Sequence, residues 1–269
     1  MIKKNRKCIV LLASIILGGS LYTDYSPRIQ TQAATTNQSK VLKRMREMAN
    51  LRWRPQKDLK VSTLGYWDKV EKKMVVTSTT TYYSSNIYYG MPYSQVHNDS
   101  LEAFWTYANT GRSPNADLYI YKGASAGNDC STAVALAWKQ CFSGMKYQEI
   151  DTSDFLSCAK IGKSDYYHMK TVQGYKIGSQ NTTKDYCATK GKDTIIKLYK
   201  GMQTGDSLFH RKTDNGHALL VASIDNKKET VVCVEQRTYT SSGSWRTKTY
   251  TFDDLYKQGY LPVYCTDVR

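Results

Sequence analysis

A thiol is a strong nucleophile only as thiolate, and the free backbone N–H groups at a helix N-terminus favour that negative charge. Asp129-Cys130-Ser131-Thr132, followed by Ala133, Val134, Leu136, Ala137 and Trp138, sets Cys130 in the first turn of an apolar helix. Such a thiol still needs a base within hydrogen-bond reach. Of the four histidines, His217 has the best context. Asn215-Gly216-His217 opens the apolar run Ala218-Leu219-Leu220-Val221, so a strand fixes the direction of the ring and Gly216 leaves room beside it. An imidazole that must carry charge also needs a group to orient it. Val231-Val232-Cys233-Val234-Glu235-Gln236 reads as the neighbouring strand, and alternation puts Cys233 and Glu235 on one face. Glu235 is therefore the first candidate for the orienting role. Gln236, on the other face unless a bulge intervenes, is the second.

Taken singly, these residues have bland readings. A cysteine in an exported chain is more often half of a disulfide, a strand histidine is usually packed, and a strand glutamate is usually solvated. Their weight comes from occurring together, each in a local context that suits its role.

The elements that must position them can be read from periodicity. Val41, Leu42, Met45, Met48 and Ala49 recur at helical spacing between Ser39 and Asn50, with Lys43, Arg44 and Arg46 on the other side. Pro55 disfavours helix at the residue before it, and an irregular aromatic segment follows. Residues 77–89, rich in Thr, Tyr and Ser, suit either an extended strand or a substrate-facing loop. Gly90-Met91-Pro92-Tyr93 signals a turn, Ser100 caps a short helix to Tyr107, and Leu118 to Tyr121 is strand-like. Residues 142–200 show one short helical pattern, Asp193 to Tyr199. Strands are then expected at 206–210, 217–224, 230–237 and 244–250, with Asp225-Asn226 as a hairpin turn. A helical turn at 252–257 and a closing strand at 261–265 complete the chain. Helices first and a strand meander afterwards indicate an α+β fold.

Residues 1–34 read as an export signal. Lys3, Lys4, Arg6 and Lys7 precede an apolar run from Cys8 to Leu17, and Ala33 and Ala34 supply a small-residue cleavage site. The run is broken by Gly18, Gly19 and Ser20, too short for a membrane span. Residues 35–117 are expected to form an N-terminal helical and irregular elaboration, and 118–269 the domain that holds the three candidate residues. The formal net charge is +15; removing five basic residues and Asp24 with the leader leaves +11. That field favours anionic partners such as wall polymers outside a bacterial cell. No nucleic-acid module or basic stripe with stacking aromatics is evident. Six cysteines follow the leader: Cys130, Cys141, Cys158, Cys187, Cys233 and Cys265. They allow three disulfides, but a nucleophilic Cys130 would leave an odd number for pairing. None has zinc-site spacing, so no metal or other cofactor is expected. The exported chain is expected to be a monomer.

Gly127-Asn128-Asp129-Cys130-Ser131 before an apolar helix resembles the Asp-Cys-Ser nucleophile motif of NlpC-like cell-wall peptidases. Gly201-Met202-Gln203-Thr204-Gly205-Asp206-Ser207-Leu208-Phe209 is similar to the turn and strand that precede their histidine, and Gly216-His217 opens a strand as theirs does. Val234-Glu235-Gln236 resembles the strand end at which CHAP amidases and endopeptidases carry a glutamate. The resemblance covers residues 118–265. It implies a papain-like fold and a secreted cysteine hydrolase that cleaves amide bonds of peptidoglycan, with Cys130, His217 and Glu235 catalytic and Asp129 part of the nucleophile motif. Gly90-Met91-Pro92-Tyr93 is similar to a tyrosine segment upstream of the nucleophile, which would make Tyr93 a support of the oxyanion site. The chain departs from these families in the longer spacing from Tyr93 to Cys130, in Thr132 where a glycine is usual, and in Arg237 where CHAP enzymes commonly place asparagine. A catalytically inactive wall-binding module of the same fold, or a papain-like enzyme acting on proteins, are the alternatives.

Overall fold

The structure, a computed structural model, describes residues 34–68, 70–96, 98–110, 127–213, 215–240 and 243–269. The expected leader, apart from Ala34, the expected strand at 118–121 and the expected domain boundary at 117 lie outside the described residues.

Helix α1 spans Thr36–Asn50. Thr35 and Gln38 start it as a reciprocal capping box, with Thr35 Oγ1 accepting from Gln38 N–H at 3.2 Å and Gln38 Oε1 accepting from Thr35 N–H at 2.9 Å. Its stripe of Val41, Met45 and Met48 is fully buried, chiefly against helix α3, Cys130–Trp138. All nine residues of α3 are buried, so it shows little amphipathic pattern. Trp138 ties its C-terminal end to the following layer by donating Nε1–H to Gly205 O at 2.8 Å.

Between α1 and α3 lie the two-residue strands β1 (Arg52–Trp53) and β4 (Tyr88–Tyr89), which pair with each other. A separate long hairpin, β2 (Leu59–Asp68) and β3 (Lys73–Tyr82), falls between them. The Thr- and Tyr-rich stretch at 77–89 is thus strand as far as Tyr82, turn and irregular over 83–87, and strand again at Tyr88–Tyr89. Helix α2, Leu101–Thr110, follows, with Ser100 Oγ accepting from Ala103 N–H at 3.1 Å as expected of its cap.

Residues 142–200, largely unreadable from periodicity, contain α4 (Thr152–Ile161), the short strands β5 (Lys163–Ser164) and β6 (Met169–Thr171), α5 (Thr183–Lys190) and α6 (Lys192–Lys200). Then come β7 (Ser207–Arg211), β8 (Gly216–Asp225), β9 (Thr230–Thr240), β10 (Gly243–Thr251), α7 (Phe252–Gln258) and β11 (Leu261–Cys265). The sheet order is β10-β9-β8-β7-β11-β6-β5, and each neighbouring pair is antiparallel. The fold is α+β, and all described residues belong to one compact unit.

One irregularity in this sheet decides which side chains meet. The β8–β9 ladder pairs Asp225 with Thr230, Ile224 with Val231 and Ser223 with Val232, then slips so that Val221 pairs with Cys233 and Leu220 with Val234. Ala222 is the extra residue of a bulge, and one extra residue exchanges the two faces of the strand beyond it. Continuing the register places Leu219 opposite Glu235, with His217 two residues along on the same face. A regular ladder from the turn would have put Gln236 there instead. The bulge is held by the preceding turn: Gly205 N–H donates to Val221 O and Val221 N–H to Asp206 O, both at 2.8 Å, while Thr204 Oγ1 donates to Ala222 O at 3.3 Å.

Candidate active site

Cys130 heads α3. Asp129 is the helix N-cap, its carboxylate accepting from Thr132 N–H and from Ser131 Oγ–H, both at 2.8 Å. The Thr132 hydroxyl donates to Asn98 Oδ1 at 3.0 Å. The segment before the helix is tightly placed. Gly127, with φ of +104°, would carry a Cβ 2.3 Å from Pro92 O, so a side chain is excluded there. Asp99 pins the same segment by accepting from Gly127 N–H at 3.2 Å. Cys130 is 4% exposed, and all six cysteines among the described residues are free.

His217 opens β8 directly opposite His210 of β7. Gly216 before it has a close neighbour, since an added Cβ would lie 2.3 Å from Thr152 Oγ1 and 2.8 Å from His210 O. The His217 ring interacts with Cys130 on one side and places Nε2 2.6 Å from Glu235 Oε2 on the other. With Nε2 engaged by the carboxylate, Nδ1 is the nitrogen left for the thiol. Burial opposes an imidazolium here. Its interactions with Cys130 and with the Glu235 carboxylate outweigh that, and the ring is raised to about 10. At neutral pH His217 is therefore charged.

Glu235 is 0% exposed, yet it is an ion. Burial pushes its carboxyl up, but the hydrogen bonds and charge of His217, Arg246 and Tyr250 overcome this and lower it to about 2. Its second oxygen, Oε1, accepts from Arg246 Nε at 2.6 Å and from the Tyr250 hydroxyl at 2.5 Å. Arg246 pairs directly with Glu235 across β9 and β10. Neither Arg246 nor Tyr250 was anticipated. The signal available was the alternation of Arg246, Lys248 and Tyr250 along one strand, which becomes informative only once the β9–β10 register is known.

Gln236 is not a partner of His217. It lies on the opposite face and is buried, donating Nε2–H to Met91 O at 3.2 Å and to Pro92 O at 2.9 Å. Together with Trp245 Nε1–H, which donates to Met91 O at 2.7 Å, it fixes the loop that carries Tyr93. Tyr93 is buried, bridges to Asn128 and feels the negative charge of Cys130 and Asp129; burial first, then those charges, push its phenol up. Its hydroxyl accepts from Gln95 Nε2–H at 2.9 Å. The structure thus brings Cys130, His217 and Glu235 together, with His217 hydrogen-bonded to Glu235 and interacting with Cys130, and with Asp129 and Tyr93 beside the nucleophile.

Two further residues close the site. Tyr260 senses Tyr250, Glu235 and Cys130, though burial is the main reason its phenol is raised. His210 stacks edge-on against Tyr260 with centroids 4.8 Å apart, and burial, with His217 and Lys212 nearby, lowers it to about 4. It is neutral beside a charged neighbour. Among the described residues no cluster of three or more His, Cys, Asp or Glu side chains forms a metal site, and no helix is long and apolar enough to cross a membrane.

No family model, no curated protein and no solved structure matches the chain.

Proposed function

We propose that this chain is a secreted, papain-like cysteine hydrolase that cleaves amide bonds of peptidoglycan. The observation that supports this best is His217, beside a helix-heading cysteine with which it interacts and hydrogen-bonded through Nε2 to a buried ionised carboxylate. A packed histidine needs no such carboxylate, and a buried carboxylate with three donors is costly to assemble without a function for its charge.

In the proposed reaction the Cys130 sulfur forms a bond to the substrate carbonyl carbon, and the carbonyl π electrons move to oxygen. The Cys130 backbone N–H, at the first turn of α3, is one donor to that oxyanion, and Tyr93 lies beside the nucleophile. As the oxyanion collapses, the C–N bond breaks and His217 gives its Nδ1 proton to the departing amine, leaving a thioester. Water then attacks the thioester while His217 takes its proton; the thiolate departs and the carboxylic product is released. Glu235 keeps the ring oriented and stabilises its charged form in both half-reactions.

Peptidoglycan as substrate is supported by the export signal read at residues 1–34, by the charge of +11 that remains after it, and by the motif resemblance around Cys130. The test is digestion of purified cell walls followed by mass spectrometry of the soluble muropeptides, with a protein substrate in parallel. Cys130→Ala and His217→Ala are each expected to lower the release rate by about 10³-fold or more with the fold retained. Wall digestion by either variant at the wild-type rate contradicts the assignment, and cleavage of the protein substrate alone moves the enzyme to the protease reading.

A further inference from the structure

The line Cys130–His217–Glu235 is unbalanced in charge. With the thiol ionised, two negative groups face one imidazolium in a setting where Cys130 is 4% and Glu235 0% exposed. Unpaired charge is strongly disfavoured at such depth. Arg246 supplies the missing cation. Its Nε donates to Glu235 Oε1 at 2.6 Å, its Nη2 donates to the Tyr250 hydroxyl at 3.2 Å, and that hydroxyl donates to the same Oε1 at 2.5 Å. Both donors converge on one oxygen, so the other, Oε2, is the one presented to His217 Nε2.

We propose that Arg246 is a positioning residue of this site: through the Tyr250-buttressed contact on Oε1 it fixes which carboxylate oxygen meets His217, and its charge makes the thiolate, imidazolium and carboxylate set neutral. The inference rests on the hydrolase reading of the site and extends it to a fourth residue. The Arg246 side chain is 35% exposed, which suits a residue that closes the cluster from its rim.

Arg237, next on the Glu235 face of β9, is a second cation near the cluster with an interaction of its own, whereas most other titratable groups there carry no compensating positive charge. Tyr93, Tyr250 and Tyr260 are all raised, chiefly by burial, and stay neutral. His210, across from His217 on β7, is held neutral by burial, and Cys233, on the Glu235 face of β9, is pushed well above the usual thiol range by burial. Asp129, at the cap of α3, could add only negative charge. Lys248 sits over the Tyr250 ring, 4.5 Å from its centre, and Lys212 acts on His210.

A merely structural arginine could be replaced without changing how Cys130 ionises. The experiment is the pH dependence of iodoacetamide alkylation of Cys130 in the full exported chain, followed on the Cys130 peptide by mass spectrometry. Arg246→Gln is expected to move the midpoint of the reactivity curve upward by about one pH unit, because removing a cation disfavours the thiolate. Arg246→Lys, which keeps the charge, is expected to stay within about half a unit of wild type. A wild-type curve for folded Arg246→Gln overturns the proposal. If that variant does not fold, a shift of about one unit in Arg246→Lys overturns it just as well. Failure of the underlying reading is distinguishable: there, alkylation of Cys130 in otherwise wild-type protein is indifferent to His217→Ala.

Discussion

Glu235 holds a full negative charge where water does not reach it, and three named donors account for that. His217, Arg246 and Tyr250 all contact its two oxygens, and charge-assisted contacts of this kind are the strong ones. Glu235→Gln keeps the volume and most of the acceptor geometry but removes the anion and offers His217 an amide N–H. The imidazolium then loses its partner, and the ring is pushed to the wrong tautomer. Hydrolysis is expected to fall by about 10²–10⁴-fold, and the melting temperature at neutral pH to fall as well, because the carboxylate's stabilising contacts are lost. Full activity in that variant would mean that the carboxylate is structural. The pH behaviour follows from the same contacts. The carboxylate is lowered from 4.5 to about 2, so its contribution to stability is present above pH 4.5 and is lost as pH falls through about 2. The imidazole is raised from 6.5 to about 10, so its contribution is complete below 6.5 and is lost as pH rises through about 10. The charged pair is stable between those limits.

At the scale of elements, the bulge at Ala222 is what puts Glu235 rather than Gln236 on the face of His217. Deleting Ala222 makes the ladder regular and exchanges the faces. The shortened chain is expected to lose activity by about 10³-fold and to lose the His217 dependence of Cys130 alkylation. Retained activity would show that β8 and β9 meet by another route. Here the limits of sequence reading are physical. Strands with clear alternation and turn residues were legible nearly to the residue, as β11 at 261–265 shows, and so were α1 and the capped start of α3. Glu235 was named from plain alternation and is indeed the partner of His217, but it reaches the ring through a register slip that alternation alone does not reveal. Arg246 was hidden because a cross-strand partner depends on the β9–β10 register. Residues 142–200 resisted because their helices are short, and a helix such as α5 shows no clear apolar stripe. The β2–β3 hairpin was legible only in part: a strand is one of two readings for residues 77–89, because Thr, Ser and Tyr there suit a strand or a loop alike, and its first strand reads as irregular.

For the molecule as a whole, the N-terminal segment is joined to the site through a shared core. Met45 and Met48 of α1 are fully buried, and α1 packs chiefly on α3, the helix that carries Cys130. Met45→Ala is expected to destabilise the protein by about 2–5 kcal/mol in urea unfolding. Near-ultraviolet circular dichroism and Cys130 reactivity should be lost in one transition; a separate early transition of the N-terminal residues would contradict a common core. Five of the six free cysteines serve that core or its margin. Burial pushes the Cys158, Cys187 and Cys265 thiols up to about 12, which leaves them unreactive at neutral pH. These three thiols serve as internal references for a chemical test of Cys130.

That test is the alkylation rate of each cysteine at pH 7, mapped peptide by peptide, in the wild-type chain and in His217→Ala. If the thiol and imidazole form a charged pair, Cys130 is modified at least about 10²-fold faster than Cys158, Cys187 or Cys265, and His217→Ala removes most of that advantage. Equal rates among the four cysteines, or a Cys130 rate that His217→Ala leaves unchanged, would contradict the pair and the hydrolase built on it.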